Sequence, residues 1–439
     1  MFQTLINAFK NKEIRNKILI TIVILFVYRL GCWLPVPGIS NKVYTDGLSN
    51  SLFELLSAIT GSALQNGAFL AIGISPYINA SIIIQLLTVA IPPLERLTKQ
   101  GDEGRKKIAQ ITRYGTLILA TVQALGIVMS WGTSDYLDTA VFGANTSKVL
   151  IGAFVVVILV AGSMLTMWIG ERITDLGIGN GISLLIFVGI LSTAGLALKD
   201  QVMLIANGGG NEKTWELIAF LAMVIVLFTL IVFIDLAERR IPVNYAKQVK
   251  GRKQYGGQAT NIPIKVNANG VMPIIFATAI MTFPQMLFQL ISSGKTTGGA
   301  YKFMVWWTKW LGTDSVLYFV LMGLLILFFS YFYSQIQFNP DDVARNLQQY
   351  GGTIIGIRPG RPTAEYLAKI NKRLTLFGAI YLTFIAIVPS IVFQMLLTNA
   401  GLINAFSATG MLIVVSVALE LQKQLDSLLM MKHYKGFLK

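Results

Sequence analysis

Side chains that usually carry chemistry are scarce in this chain of 439 residues. Gly294, Lys295 and Thr296 resemble the end of a phosphate-binding loop, but Gln289 stands where its first glycine belongs and no strand precedes it. The run Gly177-Ile178-Gly179-Asn180-Gly181 has glycines like those of a dinucleotide loop without a βαβ unit around them, so a hinge or helix start is the expected reading. No serine occupies a Gly-x-Ser-x-Gly elbow. His433 is the single histidine and Cys32 the single cysteine. That removes most zinc and triad chemistry and any internal disulfide. The expectation is therefore no enzyme, no cofactor and no metal. What remains is isoleucine. Ile74 and Ile78, and again Ile182 and Ile186, stand four apart and so share one helix face. Such a pair packs or faces lipid in most helices; the sharper reading is a hydrophobic constriction that bars ions by excluding water. Spacing cannot choose between them.

The elements that must hold these residues are membrane helices. Hydrophobic residues make up 54% of the chain and charged ones 13%, and mean hydropathy is +0.63. A soluble surface needs more charge than that. A span takes roughly 20 mainly apolar residues. Ten are predicted, at 18–34, 72–91, 114–131, 149–169, 180–197, 215–236, 271–292, 315–337, 374–396 and 403–422. With a cytoplasmic N-terminus, 28 of the 36 Lys and Arg fall on the inner side of this scheme. The positive-inside rule thus puts both termini in the cytoplasm and accounts for most of the +15 net charge. Residues 1–17 carry Phe2, Leu5, Ile6 and Phe9 at helical spacing beside Lys10, Lys12 and Arg15, as an amphipathic helix on the inner leaflet would. No small-residue cleavage site precedes the first span, which is expected to be retained.

Two inner loops are long and structured in composition. Residues 238–270 are basic and glycine-rich, with an alternating run from Ile262 to Val266, and suggest a protruding hairpin. Residues 338–373 open on Asn339-Pro340-Asp341, a helix-cap signal, and contain Gly351-Gly352 and a turn at 356–362. Both lie on one side, which suggests a cytoplasmic partner surface. Five spans in each half, 18–197 and 215–422, followed by a tail at 423–439, would insert the second half upside down. Intramembrane charge, the mark of ion-coupled carriers, is missing from the apolar interiors of spans three, four, seven, eight and nine. Arg29, Asp235, Glu238 and Glu420 sit near span ends, where snorkelling or interfacial pairing is expected. On these grounds a channel and a small-solute secondary transporter of inverted repeats stand near parity.

The stretches at 73–88 (GISPYINASIIIQLLT), 105–117 (RKKIAQITRYGTL), 177–187 (GIGNGISLLIF), 243–247 (VNYAK) and 356–360 (GIRPG) together resemble the SecY family, the central subunit of the bacterial protein-conducting channel. The resemblance implies an all-α polytopic membrane protein, with two inverted halves around an hourglass pore. It implies a pore ring of Ile74, Ile78, Ile182, Ile186, Ile275 and Ile413. A plug at about 56–66 would include Ser57, Gly61, Ser62 and Ala63, small residues suited to packing closely and leaving. Spans two, three, seven and eight would form a lateral gate with Asn79, Gln123 and Phe283. Arg358 would meet the motor SecA. Lys247, Arg252 and Lys253 would meet the ribosome, rRNA phosphates included. The implied location is the bacterial inner membrane. Implied partners are SecE-like and SecG-like small membrane subunits, signal sequences, nascent chains and membrane lipids.

Overall fold

A computed structural model describes residues 2–39, 60–133, 137, 147–207, 210–245, 248–250, 253–255, 259–292, 299–312, 315–396, 402 and 408–436. Among them the chain is mostly helical. The N-terminal elements are α1 (Phe2–Lys10), α2 (Lys12–Gly31), α3 (Ser75–Ala90), α4 (Pro92–Lys99), α5 (Asp102–Thr133), α6 (Lys148–Leu176), α7 (Gly181–Ala206) and α8 (Gly210–Leu236). Strands β1 (Glu238–Tyr245), β2 (Gln248–Lys250), β3 (Lys253–Tyr255) and β4 (Ala259–Lys265) follow. Then come α9 (Met272–Ser292), α10 (Gly299–Leu311), α11 (Val316–Gln337), α12 (Pro340–Gln349), β5 (Gly352–Ile354), α13 (Arg361–Leu396) and α14 (Ala408–Gly436).

Six helical stretches are long and apolar enough to cross a membrane, in α5, α6, α7, α8, α11 with α12, and α13; the bent pair α3–α4 makes a seventh if it counts as one span. The expected ten are not all recovered among the described residues, for visible reasons. The first lies in α2, which carries Lys12, Glu13, Arg15, Lys17 and Arg29. In α9 only Met272–Pro284 qualifies, as a shorter apolar helix. The tenth lies in α14, where Glu420, Lys423 and Asp426 follow the apolar start, and the helix runs on through the expected tail to Gly436. Two helices start well before their expected spans: α5 at Asp102 rather than 114, and α13 at Arg361 rather than 374.

Local rules explain the breaks. Asn11 caps α2 by accepting from the Glu13 amide (3.2 Å), which separates α2 from the amphipathic α1. Ala8 on α1 is buried with Ile14, Ile178 and Leu425, while Ile6 and Phe9 stay exposed. Between α3 and α4 the axis turns by 105°. Ile91 precedes Pro92-Pro93 and is forced to an extended backbone (φ −110°, ψ 111°), so the helix cannot continue. Asn339 caps α12 as its Asn-Pro-Asp signal predicts, accepting from the Asp341 amide (3.2 Å).

The chain forms two compact units. One comprises residues 1–215, 279–318 and 397–439; the other comprises 216–278 and 319–396. In the first, Leu64, Ala71 and Ile72 join Ala124, Ile127, Val128 and Trp131 of α5 and Ile151, Val155 and Leu159 of α6 in one apolar core. In the second, the two long inner loops are joined. Strand β1 pairs antiparallel with β4 (Ile241 opposite Ile262) and also with β5 (Val243 opposite Ile354), giving the order β4-β1-β5. Period-two alternation sends Ile241 and Val243 to the same face. There they are buried with Ile264, Ile354, Leu347 of α12 and Leu367 of α13. Pro242 sits where β1 has β4 as its one strand partner, so its missing N–H costs little. In the same unit Asn267 donates to Asp235 (2.8 Å) and Asn371 donates to Ser334 (2.9 Å), so these amide groups have partners.

Candidate functional site

Residues 60–74 are the irregular stretch that leads into α3. From 61 to 74 its backbone makes turns, apart from an isolated bridge of Ala68 with Pro35, and Ala63, Leu64, Ala68, Leu70, Ala71 and Ile72 are each at most 3% exposed. Irregular backbone leaves amides and carbonyls that a membrane interior cannot hydrate, so each needs a protein partner. Several have one. The Phe69 amide donates to Leu34 O (2.8 Å), and the Val36 amide donates to Gly67 O (2.9 Å). From α6 the buried Ser163 hydroxyl donates to Gly73 O (3.1 Å). The approach to α6 is tight: a β-carbon on Gly162 would lie 2.1 Å from Phe69 O. Gly61 (φ +68°) and Ser62 (φ +67°) are both left-handed, a shape open to glycine and costly for serine.

Arg29 of α2 reaches this segment. It donates to Gly61 O through Nη1 (3.3 Å) and Nη2 (3.2 Å). Nη2 also donates to the Ser192 hydroxyl on α7. A β-carbon on Gly61 would sit 2.2 Å from Arg29 Nη1. Sequence reasoning missed this role; the signal available was an arginine inside the outer end of an apolar span, with no acidic neighbour.

The isoleucines lie on several helices. Ile74 caps the start of α3 and is buried, Ile78 is half-buried one turn later, and Ile186 of α7 is buried. Ile182, half-buried, and Ile74 converge on Gly170 of α6: a β-carbon there would meet Ile182 Cγ1 at 3.3 Å and Ile74 Cδ1 at 3.5 Å. Helix α7 packs against α14, on which Ile413 is buried. Ile275 on α9 belongs to the second unit and is half-buried there. The Gly177–Gly181 run is a helix start: Asn180 accepts from the Ile182 amide (3.1 Å), and Thr174 Oγ1 accepts from the Gly181 amide (2.9 Å).

Of the expected plug residues, Gly61, Ser62 and Ala63 occupy the turn just described, and Ser57 lies outside the described residues. Of the expected gate residues, Gln123 is buried on α5, Asn79 is half-buried on α3, and Phe283 is half-buried on α9. Helices α3 and α5 pack together. On the inner loops, Lys247 and Arg252 lie outside the described residues, and Lys253 is placed by its backbone alone, opposite Lys250. Arg358 is exposed at the tip of 356–360. Left-handed glycines bracket that tip, Gly356 (φ +80°) and Gly360 (φ +97°), and the Thr363 hydroxyl donates to Arg358 O (2.8 Å). Ile357 next to it is half-buried against the sheet's apolar core, while Arg358 stays exposed.

Long apolar helices with an irregular segment buried among them give this chain the fold of solved protein-conducting channels. A solved structure described as "The structure of a protein conducting channel" matches with TM-score 0.65 and 19% identity, covering 94% of this chain and 91% of that one. A second concerns how the plug domain of the SecY protein stabilises the closed channel; it matches with TM-score 0.64 and 20% identity over 94% and 91% of the two chains. The family model described as SecY matches residues 68–422. The protein translocase subunit SecY of Corynebacterium glutamicum is 40% identical over 449 aligned positions, covering 99% of each chain. The chain belongs to the SecY family.

Proposed function

We propose that this chain is the passive protein-conducting channel of a bacterial inner-membrane translocase. It passes unfolded secretory polypeptides outward and releases transmembrane segments sideways into lipid. The observation that carries this reading is the irregular 60–74 segment, packed among apolar helices and running straight into Ile74. Such backbone at membrane depth is tolerated where it is enclosed by protein or borders a water-filled cavity. A plug that seals a pore at rest answers both conditions.

In this reading Ile74, Ile78, Ile182, Ile186, Ile275 and Ile413 form the ring. A collar without polar groups gives water and ions nothing to bind, while a passing polypeptide displaces water by its own bulk. The two inverted halves, 18–197 and 215–422, surround that ring. Asn79, Gln123 and Phe283 line a seam through which a segment samples lipid. There an apolar residue gains a few tenths of a kcal/mol, while a central Lys or Asp costs about 2.5–3.5 kcal/mol. Arg358 and the basic residues Lys247, Arg252 and Lys253 dock SecA or the ribosome, and those partners supply the driving force. SecE-like and SecG-like subunits complete the complex, with both termini of this chain in the cytoplasm.

The test is reconstitution. The chain, co-purified with its small membrane subunits, is placed in vesicles with SecA, ATP and an unfolded polypeptide bearing a signal sequence. Protease-protected polypeptide that depends on the signal is expected. Vesicles that protect none, while a known channel does so in parallel, would overturn the reading.

A further inference from the structure

We propose that Arg29 is the latch that holds the 60–67 turn in its resting place, tying it to both α2 and α7. The proposal rests on the reading of this segment as a plug. A guanidinium has five donors and no acceptor, and its bonds to neutral acceptors are stronger than ordinary ones because it is charged. Here two of those donors converge on one backbone carbonyl, Gly61 O, and one of them also reaches the Ser192 hydroxyl. A carbonyl is an acceptor that no side-chain substitution in the plug removes, so the contact constrains where the chain lies rather than which side chains it bears. A β-carbon at position 61 would sit 2.2 Å from Nη1, so the guanidinium would have to shift off its present seat, and 3.2 Å from Gly189 O; φ +68° strains any side chain there besides. Arg29, Gly61, Gly189 and Ser192 therefore form one built contact among α2, the turn and α7.

The turn also carries an opposing bias. Ser62 is the one non-glycine residue with positive φ among the described residues. Leaving the resting position lets it return to an ordinary backbone, so strain favours release while Arg29 opposes it. The resting state becomes a balance set by two neighbouring features, and a polypeptide entering the pore needs to replace only the carbonyl that Arg29 holds. Any extended chain offers carbonyls, so the arginine is re-satisfied during transit.

The experiment measures ion leak through the reconstituted channel with its small membrane subunits. It also measures export of a polypeptide whose signal sequence has been weakened. Arg29→Met is expected to raise the leak about ten- to a hundredfold, the factor for losing charge-assisted hydrogen bonds, and to admit the weak signal. Arg29→Lys, which keeps the charge but loses the fork, should fall between Met and wild type. Ser62→Gly should lower the leak below wild type, a change that general loosening does not produce. If Arg29→Met fails to accumulate, Ser192→Ala tests the same contact and should raise the leak. Wild-type leak and signal dependence in these variants, while the wild-type channel exports a full signal, would refute the latch and leave the channel reading standing. Failure of the wild type to export anything would remove both.

Discussion

Replacing Gly162 by alanine tests how closely the buried segment is seated on α6. The new β-carbon would lie 2.1 Å from Phe69 O, 3.1 Å from Phe69 C and 3.5 Å from Leu70 Cδ2. A carbon–oxygen contact settles at about 3.3–3.6 Å, so the two backbones must part by about 1.2–1.5 Å. The atom in the way is main chain and cannot rotate aside. It belongs to a residue whose amide is already held by Leu34 O at 2.8 Å. Overpacking of this kind costs about 1–3 kcal/mol, and a rigid neighbour argues for the upper end. Alanine returns up to about 1 kcal/mol through helix propensity. The net is a loss of about 2 kcal/mol, or about thirtyfold in an equilibrium constant. Gly195 on α7 is the control: a β-carbon there meets nothing within 4 Å, so Gly195→Ala should be neutral or stabilising. Thermal denaturation of the purified complex and ion leak from reconstituted vesicles should both separate the two variants. Equal melting temperatures and equally tight vesicles would show that the segment is not seated against α6 in this way.

The pore assignment predicts that Ile74 and Ile78 changed together to Asn will leak small ions, read as dissipation of a potassium gradient in vesicles; tight vesicles would sink it. Arg358→Glu should block SecA-driven export while the protein still accumulates in the membrane, because the exposed tip keeps its shape and reverses its charge. Normal export by that variant would remove the docking role. Asn79 and Gln123 changed together to Leu should make the seam harder to open, so weak signal sequences fail first; their unchanged export, measured by pulse-labelling, would count against polar residues easing the gate.

Much of the bundle was legible because hydrophobic runs are a strong, local signal. Helices α6, α7, α8 and α11 each begin within about five residues of their expected spans. The N-terminal extensions of α5 and α13 were not, since an exposed polar helix and a polar loop look alike in hydropathy. The pairing of β1 with β5 was also hidden. It joins residues more than a hundred positions apart through three residues of β5, too few to show a period of two. The pore ring was named by resemblance alone, since isoleucines four apart share a helix face whether they pack or line a pore. The partners of Arg29 were not foreseen, because near-terminal arginines are usually read as reaching for the interface. One partner is a carbonyl, which every residue carries and no motif can flag.

The three-stranded sheet has a consequence for how this chain can change over generations. Val243 and Ile354 face each other across β1 and β5, with Leu347 and Leu367 closing the same core. A partner that selects for a new sequence in one inner loop therefore selects indirectly on the other. Grafting 238–265 from a distant relative should fail unless 343–374 travels with it. The two loops are one heritable piece, written in two places.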